Sequence, residues 1–407
     1  NNPETLFEST LPEGTPAPVE TAPAPADEEA QPSPTPDQES LLSGQADAVV
    51  MSNRTNILLL GIDESTEREN WGTFRTDTMI LVSIDFSNND VCMVSIPRDS
   101  YVKIYNANGN VANPSSPYSK INNAFSEGGG AQKKGFEYSI ATVEKLMGVN
   151  IGYYCGFNMN VVKEVVNAMG GVDYDVDIEV KMNGRELHPG MQHLDGQGVL
   201  DYCRQRKGSS DIARIDRQQR MLTAILKQLK DTDQIANIPS IYSAVEANIM
   251  TNLSIKQISS LALVALRMDM SQLSRYTLEG KAMDILGRDC YCLYVSRIEK
   301  IVKEVWGQSV NLDSENDVSF IEEQVEAHRA LIADELNRAN IAYSKAYSIM
   351  NNCRELIDKS SYDTLKAAAK ELLDAIQKEN KENLDAYTPY VEQLCDSICS
   401  QYGISIY

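Results

Sequence analysis

Apolar residues are spaced in three different ways along the 407 residues of the chain. In the first 53 residues they are few, and nine of the fifteen prolines lie there. Between residues 54 and 310, continuous apolar runs alternate with segments of helical period, and from 311 to 407 only the helical period remains. The pattern predicts a disordered linker over 1–53, an α/β domain over 54–310 and a helical appendage over 311–407.

Continuous apolar runs in the middle region are typical of buried strands. Further strands and helices follow by the same criteria, so strands alternate with helices. We therefore predict a layered α/β/α domain with a central mixed sheet, a class that tends to bind ligands at the carboxyl ends of its strands. The predicted strands are NILLLGID (56–63), TDTMILVSIDF (76–86), VCMVSIPRD (91–99), 151–157 and 172–180, and the predicted helices are 136–148, 160–169, 195–203 and 213–230.

The C-terminal region is predicted to be an all-α appendage. Apolar residues recur at helical spacing from Ile321 to Ile357 and again in LKAAAKELLDAI (365–376). Pro389 suits the first turn of a last helix. We expect about three helices without catalytic residues, and we consider them a possible surface for a protein partner.

Charge is concentrated at the two ends of the chain, whose net charge is −21. Residues 1–53 contain ten acidic and no basic residues, and residues 311–407 contain eighteen acidic and nine basic ones. The middle region is left with thirty acidic and twenty-eight basic residues and is nearly neutral. No region has the net basic charge of a nucleic-acid binder, so we expect no nucleic-acid partner.

The N-terminal region predicts that the protein is attached to a membrane by a segment that precedes Asn1. No run approaches the roughly 18 apolar residues that cross a bilayer. The chain begins with Asn1 instead of Met, so we expect an anchor or signal helix to precede it. The Pro-rich and acidic segment 1–53 would then be a spacer between the anchor and the folded domain.

The eight cysteines form no CxxC zinc pattern. Cys92 and Cys155 lie in apolar strand-like runs, where a buried free thiol is expected. Disulfides are a possibility in an oxidising compartment, with free buried thiols as the alternative. The candidates for disulfides are Cys290 with Cys292, and Cys395 with Cys399, together with Cys353.

Aspartate and arginine residues cluster in three segments of the middle region. The first combines Asp63 of GID with Arg75 and Asp77 of FRTDTM, and the second contains Arg98 and Asp99 of SIPRD. The third is the arginine-rich stretch DYCRQRKGSSDIARIDRQQR (201–220). Because these segments fall at strand ends and helix starts, we expect them to converge at one edge of the sheet. Isolated surface ion pairs are the alternative.

These residue types predict a site for a diphosphate and a divalent cation. Guanidinium groups match phosphate oxygens in a bidentate manner, and several can surround one diphosphate. Mg²⁺ is usually held by one or two carboxylates and completes its shell with water and phosphate oxygens. Asp63 and Asp77 are therefore the candidate metal ligands.

Seven motifs in this order resemble the LytR-CpsA-Psr family of Gram-positive cell-envelope proteins. The resemblance is strong over about residues 55–230 and looser over 231–310. The motifs are NILLLGID, FRTDTM, VSIPRDSYV, KINNAFSEGG, VVNAMGGVDYDV, LHPGMQHLDGQGVLDYCRQR and DIARIDRQQR.

The resemblance implies a Mg²⁺-dependent enzyme anchored by one N-terminal helix at the outer face of the plasma membrane. Such an enzyme transfers a phosphoglycopolymer, such as teichoic acid or capsule, from a polyprenyl pyrophosphate carrier to peptidoglycan. Asp63 and Asp77 match the metal carboxylates, and the lipid tail would enter an apolar pocket. The candidate lining residues are Val143, Leu146, Val161 and Val165, with ordinary core packing as the alternative for each. The residues that match the pyrophosphate site are Arg75, Arg98, Arg204, Arg206, Arg214 and Gln218, with Lys120, Asn123 and Arg217 as further candidates, whereas Lys207 and Arg220 are expected to be solvated.

The mechanism that follows is an in-line attack of a peptidoglycan hydroxyl on the glycan-proximal phosphorus. Arg75 and Arg98 would stabilise the developing charge. Asp99 is a candidate general base, or it orients Arg98. Two alternatives stay open: hydrolysis of the pyrophosphate with water as acceptor, and a non-catalytic scaffold that binds the lipid pyrophosphate.

Overall fold

The structure is a computed structural model that describes residues 42–43, 54–63, 75–205, 211–270 and 273–405. The described residues contain fourteen strands and twelve α-helices. The strands are β1 (Arg54–Asp63), β2 (Arg75–Asp85), β3 (Asp90–Ser95), β4 (Tyr101–Lys103), β5 (Tyr118–Lys120), β6 (Tyr153–Asn158), β7 (Val172–Val176), β8 (Val180–Met182), β9 (Arg185–Leu187), β10 (Gly190–Leu194), β11 (Ile249–Thr251), β12 (Ser274–Thr277), β13 (Gly280–Asp284) and β14 (Asp289–Leu293). The helices are α1 (Asn123–Glu127), α2 (Gly135–Met147), α3 (Met159–Ala168), α4 (Gly196–Arg204), α5 (Asp211–Asp231), α6 (Ile238–Val245), α7 (Ile255–Arg267), α8 (Val295–Trp306), α9 (Val318–Leu331), α10 (Ala333–Asn352), α11 (Lys359–Gln377) and α12 (Lys381–Tyr402).

Six strands form the central sheet, in the order β11-β6-β1-β2-β3-β12. β1 is parallel to β6, and β3 is parallel to β12. The pairs β1–β2, β2–β3 and β6–β11 are antiparallel. The sheet is therefore mixed, as predicted.

Helices cover both faces of the sheet. The side chains of β1, which point alternately to the two faces, show why. Leu58 and Leu60 point to a core shared with α1, α2 and α8. Ile57 and Leu59 point to the opposite side, where Val264 of α7 packs. Because successive side chains of a strand face opposite ways, a strand that is apolar throughout is buried on both faces. The α/β/α layering is confirmed.

Two predicted strands are shorter in the structure. The strand predicted over 91–99 ends at Ser95, before Pro97, which lacks the N–H needed for strand pairing. The strand predicted over 172–180 is divided into β7 and β8. The first difference leaves Arg98 and Asp99 in a loop.

The C-terminal region contains four helices, α9–α12, where about three were expected. α10, α11 and α12 share one apolar core that includes Ile349, Leu372 and Val391. α9 packs elsewhere, against β14. The all-α character is confirmed.

The position predicted for Pro389 is wrong. α12 begins at Lys381, and the side chain of Asn380 caps it by accepting a 3.0 Å hydrogen bond from the N–H of Asn383. Pro389 therefore lies inside the helix and removes one intrahelical hydrogen bond. The buried neighbours of Pro389 on α12, such as Val391 and Cys395, hold this part of the helix in the bundle core.

All eight cysteines are free thiols, so the structure supports the free-thiol alternative over the possible disulfides. Cys290 and Cys292 alternate along β14 and both pack against α9. Cys395 and Cys399 lie one turn apart on α12, and both pack in or against the bundle core. Burial in apolar surroundings, the alternative for these thiols, explains their positions.

Among the described residues there is no helix with the length and apolar character that crossing a membrane requires.

Candidate functional site

Strand ends bring the first two clusters of charged residues to the same edge of the central sheet. The end of β1 pairs with the start of β2, so Asp63 and Arg75 are partners in the antiparallel register. β3 returns antiparallel to β2, and the N–H of Ile96 still donates to the carbonyl of Met79 at 2.9 Å. The loop with Arg98 therefore follows directly beside the start of β2.

A β-bulge places Asp77 in this edge. Gly61 pairs with Thr78 and Ile62 pairs with Thr76, so Asp77 is the extra residue of β2. A bulge bends the strand and redirects a side chain, and bulges are common beside active sites. In this structure the Asp77 carboxylate meets the loop that follows β3.

Arg98 is the centre of a network of three carboxylates. Its Nη1 donates to Oδ1 of Asp77 at 2.7 Å, and its Nε donates to Oδ2 of Asp99 at 3.4 Å. Its Nη2 lies 3.8 Å from Oδ2 of Asp211. Burial alone would lower the pKa of Arg98, but the neighbouring charges of Asp77 and Asp99 outweigh it and raise the pKa above its usual value. Arg98 is thus a permanent cation held in one orientation.

Asp99 is bound by two cations. Oδ1 of Asp99 lies 2.9 Å from Nζ of Lys120, and Oδ2 accepts the bond from Arg98. Burial pushes the pKa of Asp99 up, but the hydrogen bond from Lys120 and the charges of Arg98 and Lys120 hold it below the ordinary value. A carboxylate in this state is a weak proton acceptor near neutral pH.

The start of α5 contributes Asp211 and Arg214. Nη1 of Arg214 lies 2.9 Å from Oδ1 of Asp211, and the arginine is 5% exposed. Asp211 therefore lies between Arg98 and Arg214. Sequence analysis did not single out Asp211, although its position three residues before Arg214 at a helix start is the local signal for this contact.

The other residues of the arginine-rich stretch have separate roles. Arg217 is 2% exposed, and its Nη2 donates to the carbonyl of Gln205 at 2.5 Å, so it secures the end of α4. Gln218 faces the site, where its Oε1 accepts a 3.3 Å hydrogen bond from Thr78.

Arg220 is not a solvated side chain, contrary to expectation. Its Nη2 donates to Oδ2 of Asp177 and its Nε donates to Oδ2 of Asp216, both at 2.7 Å. The hydrogen bonds and nearby charges outweigh the effect of burial, so the pKa of Arg220 is raised. This arginine stabilises the packing of α5 on β7 and is turned away from the cluster around Arg98.

Several predicted residues lie farther from the network or outside the description. Nδ2 of Asn123 donates to Oγ of Ser119 at 2.8 Å, and Arg204 is exposed in the last turn of α4. Arg206 and Lys207 lie outside the described residues, and only the backbone is described for Asp63 and Arg75.

An apolar cavity of about 230 Å³ opens beside the charged network. Its walls come from β2, β3, α5 and the β13–β14 hairpin. Val143 and Leu146 lie in the main core, as the core-packing alternative expects. The residues that line the cavity are Asp77, Thr78, Met79, Ile80, Ser95, Ile96, Pro97, Arg98, Asp99, Asp211, Ile212, Arg214, Ile215, Gln218, Ala282, Asp289, Cys290 and Tyr291.

The fold and the site together define an α/β/α domain with paired arginines and aspartates in the wall of an apolar cavity. The sequence profile of the LytR_cpsA_psr family matches residues 24–306, and the chain belongs to this family. Helices α9–α12 lie beyond the matched residues.

Known proteins support this assignment. The chain is 34% identical over 205 residues to the polyisoprenyl-teichoic acid–peptidoglycan teichoic acid transferase TagU of Bacillus mycoides. The matched region covers 50% of this chain and 62% of the relative. The chain thus matches about three fifths of that relative's length. A crystal structure from Streptococcus agalactiae superposes with a TM-score of 0.54 at 26% identity and covers 66% of this chain and 95% of that one. The crystal structure of TagV from B. subtilis superposes with a TM-score of 0.53 at 26% identity. The superposition covers 64% of this chain and 99% of TagV.

Proposed function

We propose that this protein transfers a phosphoglycopolymer, of the teichoic acid or capsule type, from a polyprenyl pyrophosphate carrier to peptidoglycan. Membership of the LytR-CpsA-Psr family supports the proposal, and so does the similarity to a relative named as a teichoic acid transferase.

The observation that carries the proposal is the presence of two guanidinium groups in the wall of an apolar cavity. Arg98 and Arg214 approach the same carboxylate, Asp211, at 3.8 Å and 2.9 Å. An anionic group that replaces this carboxylate would meet both arginines. Met79, Ile96 and further apolar side chains lie directly behind them. The combination suits a ligand with a diphosphate head and an apolar tail.

The size of the cavity indicates how much of the lipid it receives. Its volume of about 230 Å³ is below the roughly 300 Å³ at which small-molecule pockets begin. A polyprenyl chain is far larger than this. We infer that the cavity holds only the part of the chain nearest the diphosphate, and that the rest extends toward the membrane.

Mg²⁺ is part of the proposal, with Asp77 and Asp63 as the residues that would hold it. Asp77 is the bulge residue of β2, and Asp63 ends the neighbouring strand β1. Among the described residues, there is no group of three or more His, Cys, Asp or Glu residues that would form a cage. Mg²⁺ usually takes one or two carboxylates and completes its shell with water and phosphate oxygens, so the proposal requires only Asp63 and Asp77. When bound, the ion would neutralise charge on the diphosphate.

In the proposed reaction, an acceptor hydroxyl attacks the phosphorus that bears the glycan. The new bond joins the acceptor oxygen to this phosphorus, and the bond from this phosphorus to the bridging oxygen breaks. Polyprenyl phosphate leaves with that electron pair, and the hydroxyl proton passes to the departing phosphate. Arg98 and Arg214 stabilise the charge that accumulates on the phosphoryl oxygens. We assign Asp99 to the orientation of Arg98, because its carboxylate is already bound by Lys120 and its pKa is low.

We place this activity at the outer face of the plasma membrane, in a membrane-anchored protein. The Pro-rich segment 1–53 would span the distance from the anchor. The relative's name implies a lipid-linked donor and a peptidoglycan acceptor, and both would be reached on this side of the membrane.

The test is a transfer assay with a polyprenyl pyrophosphate-linked glycan, peptidoglycan fragments and Mg²⁺. Arg98→Lys keeps the charge but loses the planar fork, so we expect transfer to fall by about 100-fold or more. Arg54→Lys is the matched control, because Arg54 forms a similar 2.8 Å ion pair with Asp85 at the opposite end of β1.

The products separate the alternatives. Phosphorylated glycan attached to peptidoglycan supports the transferase, and the same glycan released free in solution would indicate hydrolysis. Donor that binds without turnover would indicate a scaffold. The proposal is wrong if the wild-type protein neither transfers nor binds the donor.

A further inference from the structure

The β13–β14 hairpin lies between the C-terminal helices and the apolar cavity of about 230 Å³, which is called the donor cavity below. The hairpin supplies Ala282, Asp289, Cys290 and Tyr291 to the cavity wall. It also holds the loop that carries Arg98, since the N–H of Tyr291 donates to the carbonyl of Asp99 at 2.9 Å. A shift of the hairpin would therefore change both the wall and the loop.

α9 covers the other side of this hairpin. Cys290 and Cys292 share an apolar cluster with Val318, Ile321 and Val325 of α9. The hairpin is thus layered between the cavity and a helix that lies beyond the residues matched by the family.

The turn of the hairpin contacts the bundle formed by α10, α11 and α12. A Cβ atom placed on Gly287 would lie 2.3 Å from the carbonyl oxygen of Gln377, so the two backbones touch. Gly287 has a φ of +72°, which a residue with a side chain adopts only with strain. The bundle therefore approaches the hairpin at the end of α11.

Arg329 of α9 joins the hairpin and the bundle at this point. Its Nε lies 2.8 Å from Oε1 of Glu379, in the turn between α11 and α12, and its Nη2 lies 3.7 Å from Oδ1 of Asp284 in the hairpin. Glu379 is a non-glycine residue with a φ of +49°, and His328 contacts its carbonyl oxygen at 3.0 Å. A strained backbone persists only where surrounding contacts hold it.

Beside the apolar cluster, the contact between the hairpin and α9 also contains a gap lined by charged residues. A cavity of about 250 Å³ lies between the hairpin and α9, bordered by Lys281, Asp284, Glu322 and Arg329. Lys281 pairs with Glu322, and Asp284 lies near Arg329, so charge pairs across the gap contribute to the relative position of the two elements. Arg329 links both the hairpin and α9 to the bundle.

We propose that the C-terminal helices set the position of the donor-cavity wall, with Arg329 as the positioning residue. The proposal deepens the proposed function and rests on it for the identity of the ligand. It assigns a role to the appendage within the same site: the bundle holds the hairpin, and the hairpin holds both the cavity wall and the Arg98 loop.

The experiment compares Arg329→Ala, Arg329→Lys and Arg338→Ala with the wild-type protein. Arg338 is the matched control, because it forms a similar 2.5 Å pair with Glu392 but joins α10 to α12. Two measurements are made: native-state amide hydrogen exchange of the hairpin and of residues 97–103 without ligand, and KM and kcat for the lipid-linked donor.

For Arg329→Ala we expect faster exchange in both segments and a KM about two- to fivefold higher with kcat little changed, as suits loss of a partly exposed ion pair. Arg329→Lys should have hydrogen-exchange rates and a KM close to those of the wild type. Arg338→Ala should match the wild type. Equal exchange and equal KM for Arg329→Ala and Arg338→Ala would overturn the proposal. If the wild-type protein does not bind the donor, the proposed function fails, and hydrogen exchange alone then decides whether Arg329 positions the wall.

Discussion

Arg98 and Asp211 face each other across 3.8 Å, between the loop after β3 and the first residue of α5. The other carboxylate oxygen of Asp211 lies 2.9 Å from Arg214. One protein carboxylate thus occupies the space between two arginines that are proposed to bind phosphate. Asp211 keeps the arginines oriented, and it also competes with any incoming anion.

The competition predicts the behaviour of Asp211→Asn. Without the negative charge, the arginines are less neutralised, and we expect inorganic pyrophosphate to bind about two- to tenfold more tightly. Calorimetry at constant Mg²⁺ and low salt measures this. Asp216→Asn is the matched control on the same helix, because Asp216 pairs with Arg220 instead. Weaker pyrophosphate binding by Asp211→Asn would mean that orientation of the arginines outweighs competition.

A second prediction concerns the pH dependence of stability through Asp99. Its pKa in the folded protein is below the ordinary value of 3.8, since the bonds to Lys120 and Arg98 outweigh the effect of burial. The carboxylate therefore stabilises the fold fully above its ordinary pKa, and this contribution is lost as the pH falls through the lower, folded pKa. Below about pH 4 the melting temperature of the wild type should fall more steeply than that of Asp99→Asn. If the melting temperatures of the wild type and of Asp99→Asn fall in parallel as the pH is lowered, Asp99 makes no such contribution.

The sequence predicted the layers of the fold because apolar runs and helical periods are local signals. β1 and β2 coincide closely with the runs at 56–63 and 76–86. The edges of the sheet are different: β11 and β12 have only three and four residues, too few for a periodic pattern. Their places depend on pairing with β6 and β3, which lie far away in the chain.

The residue types of the site and their places at strand ends were predictable from the sequence. Which of these side chains contact one another was not. The bulge at Asp77 depends on the register between two strands, which no single segment encodes. The contact of Arg217 with Gln205 likewise depends on how α5 packs beside α4. Motif spacing indicates which residues are near the ligand, whereas tertiary packing determines whether each arginine faces the ligand or the protein.

The free thiols provide a third prediction. Burial raises the pKa of Cys203 and of Cys92 to about 12, so neither is a thiolate near neutral pH. We expect iodoacetamide to leave both unmodified in the native protein. In denaturant without reductant, mass spectrometry should find eight alkylated cysteines. Fewer than eight would reveal a disulfide or another modification.

The last prediction tests the packing between β6 and α2. A Cβ atom on Gly156 would lie 2.6 Å from two ring atoms of Phe136 and 3.3 Å from Ile62. Phe136 is held in place, since its ring stacks on Tyr154 with the centroids 4.3 Å apart. Gly156→Ala must therefore displace the ring or the strand, and overpacking of this kind costs about 1–3 kcal/mol of the free energy of unfolding.

Gly152→Ala is the matched control, because no atom lies within 4 Å of its added Cβ. We expect its free energy of unfolding, measured by urea denaturation, to stay within about 0.5 kcal/mol of the wild-type value. Gly156 also pairs with Leu60, two residues before Ile62 in the strand that ends at Asp63. A displaced β6 would move the end of β1, so Gly156→Ala should reduce pyrophosphate binding as well as stability. An unchanged midpoint for Gly156→Ala would mean that Phe136 yields without cost, and that this layer does not fix the position of the β1 end.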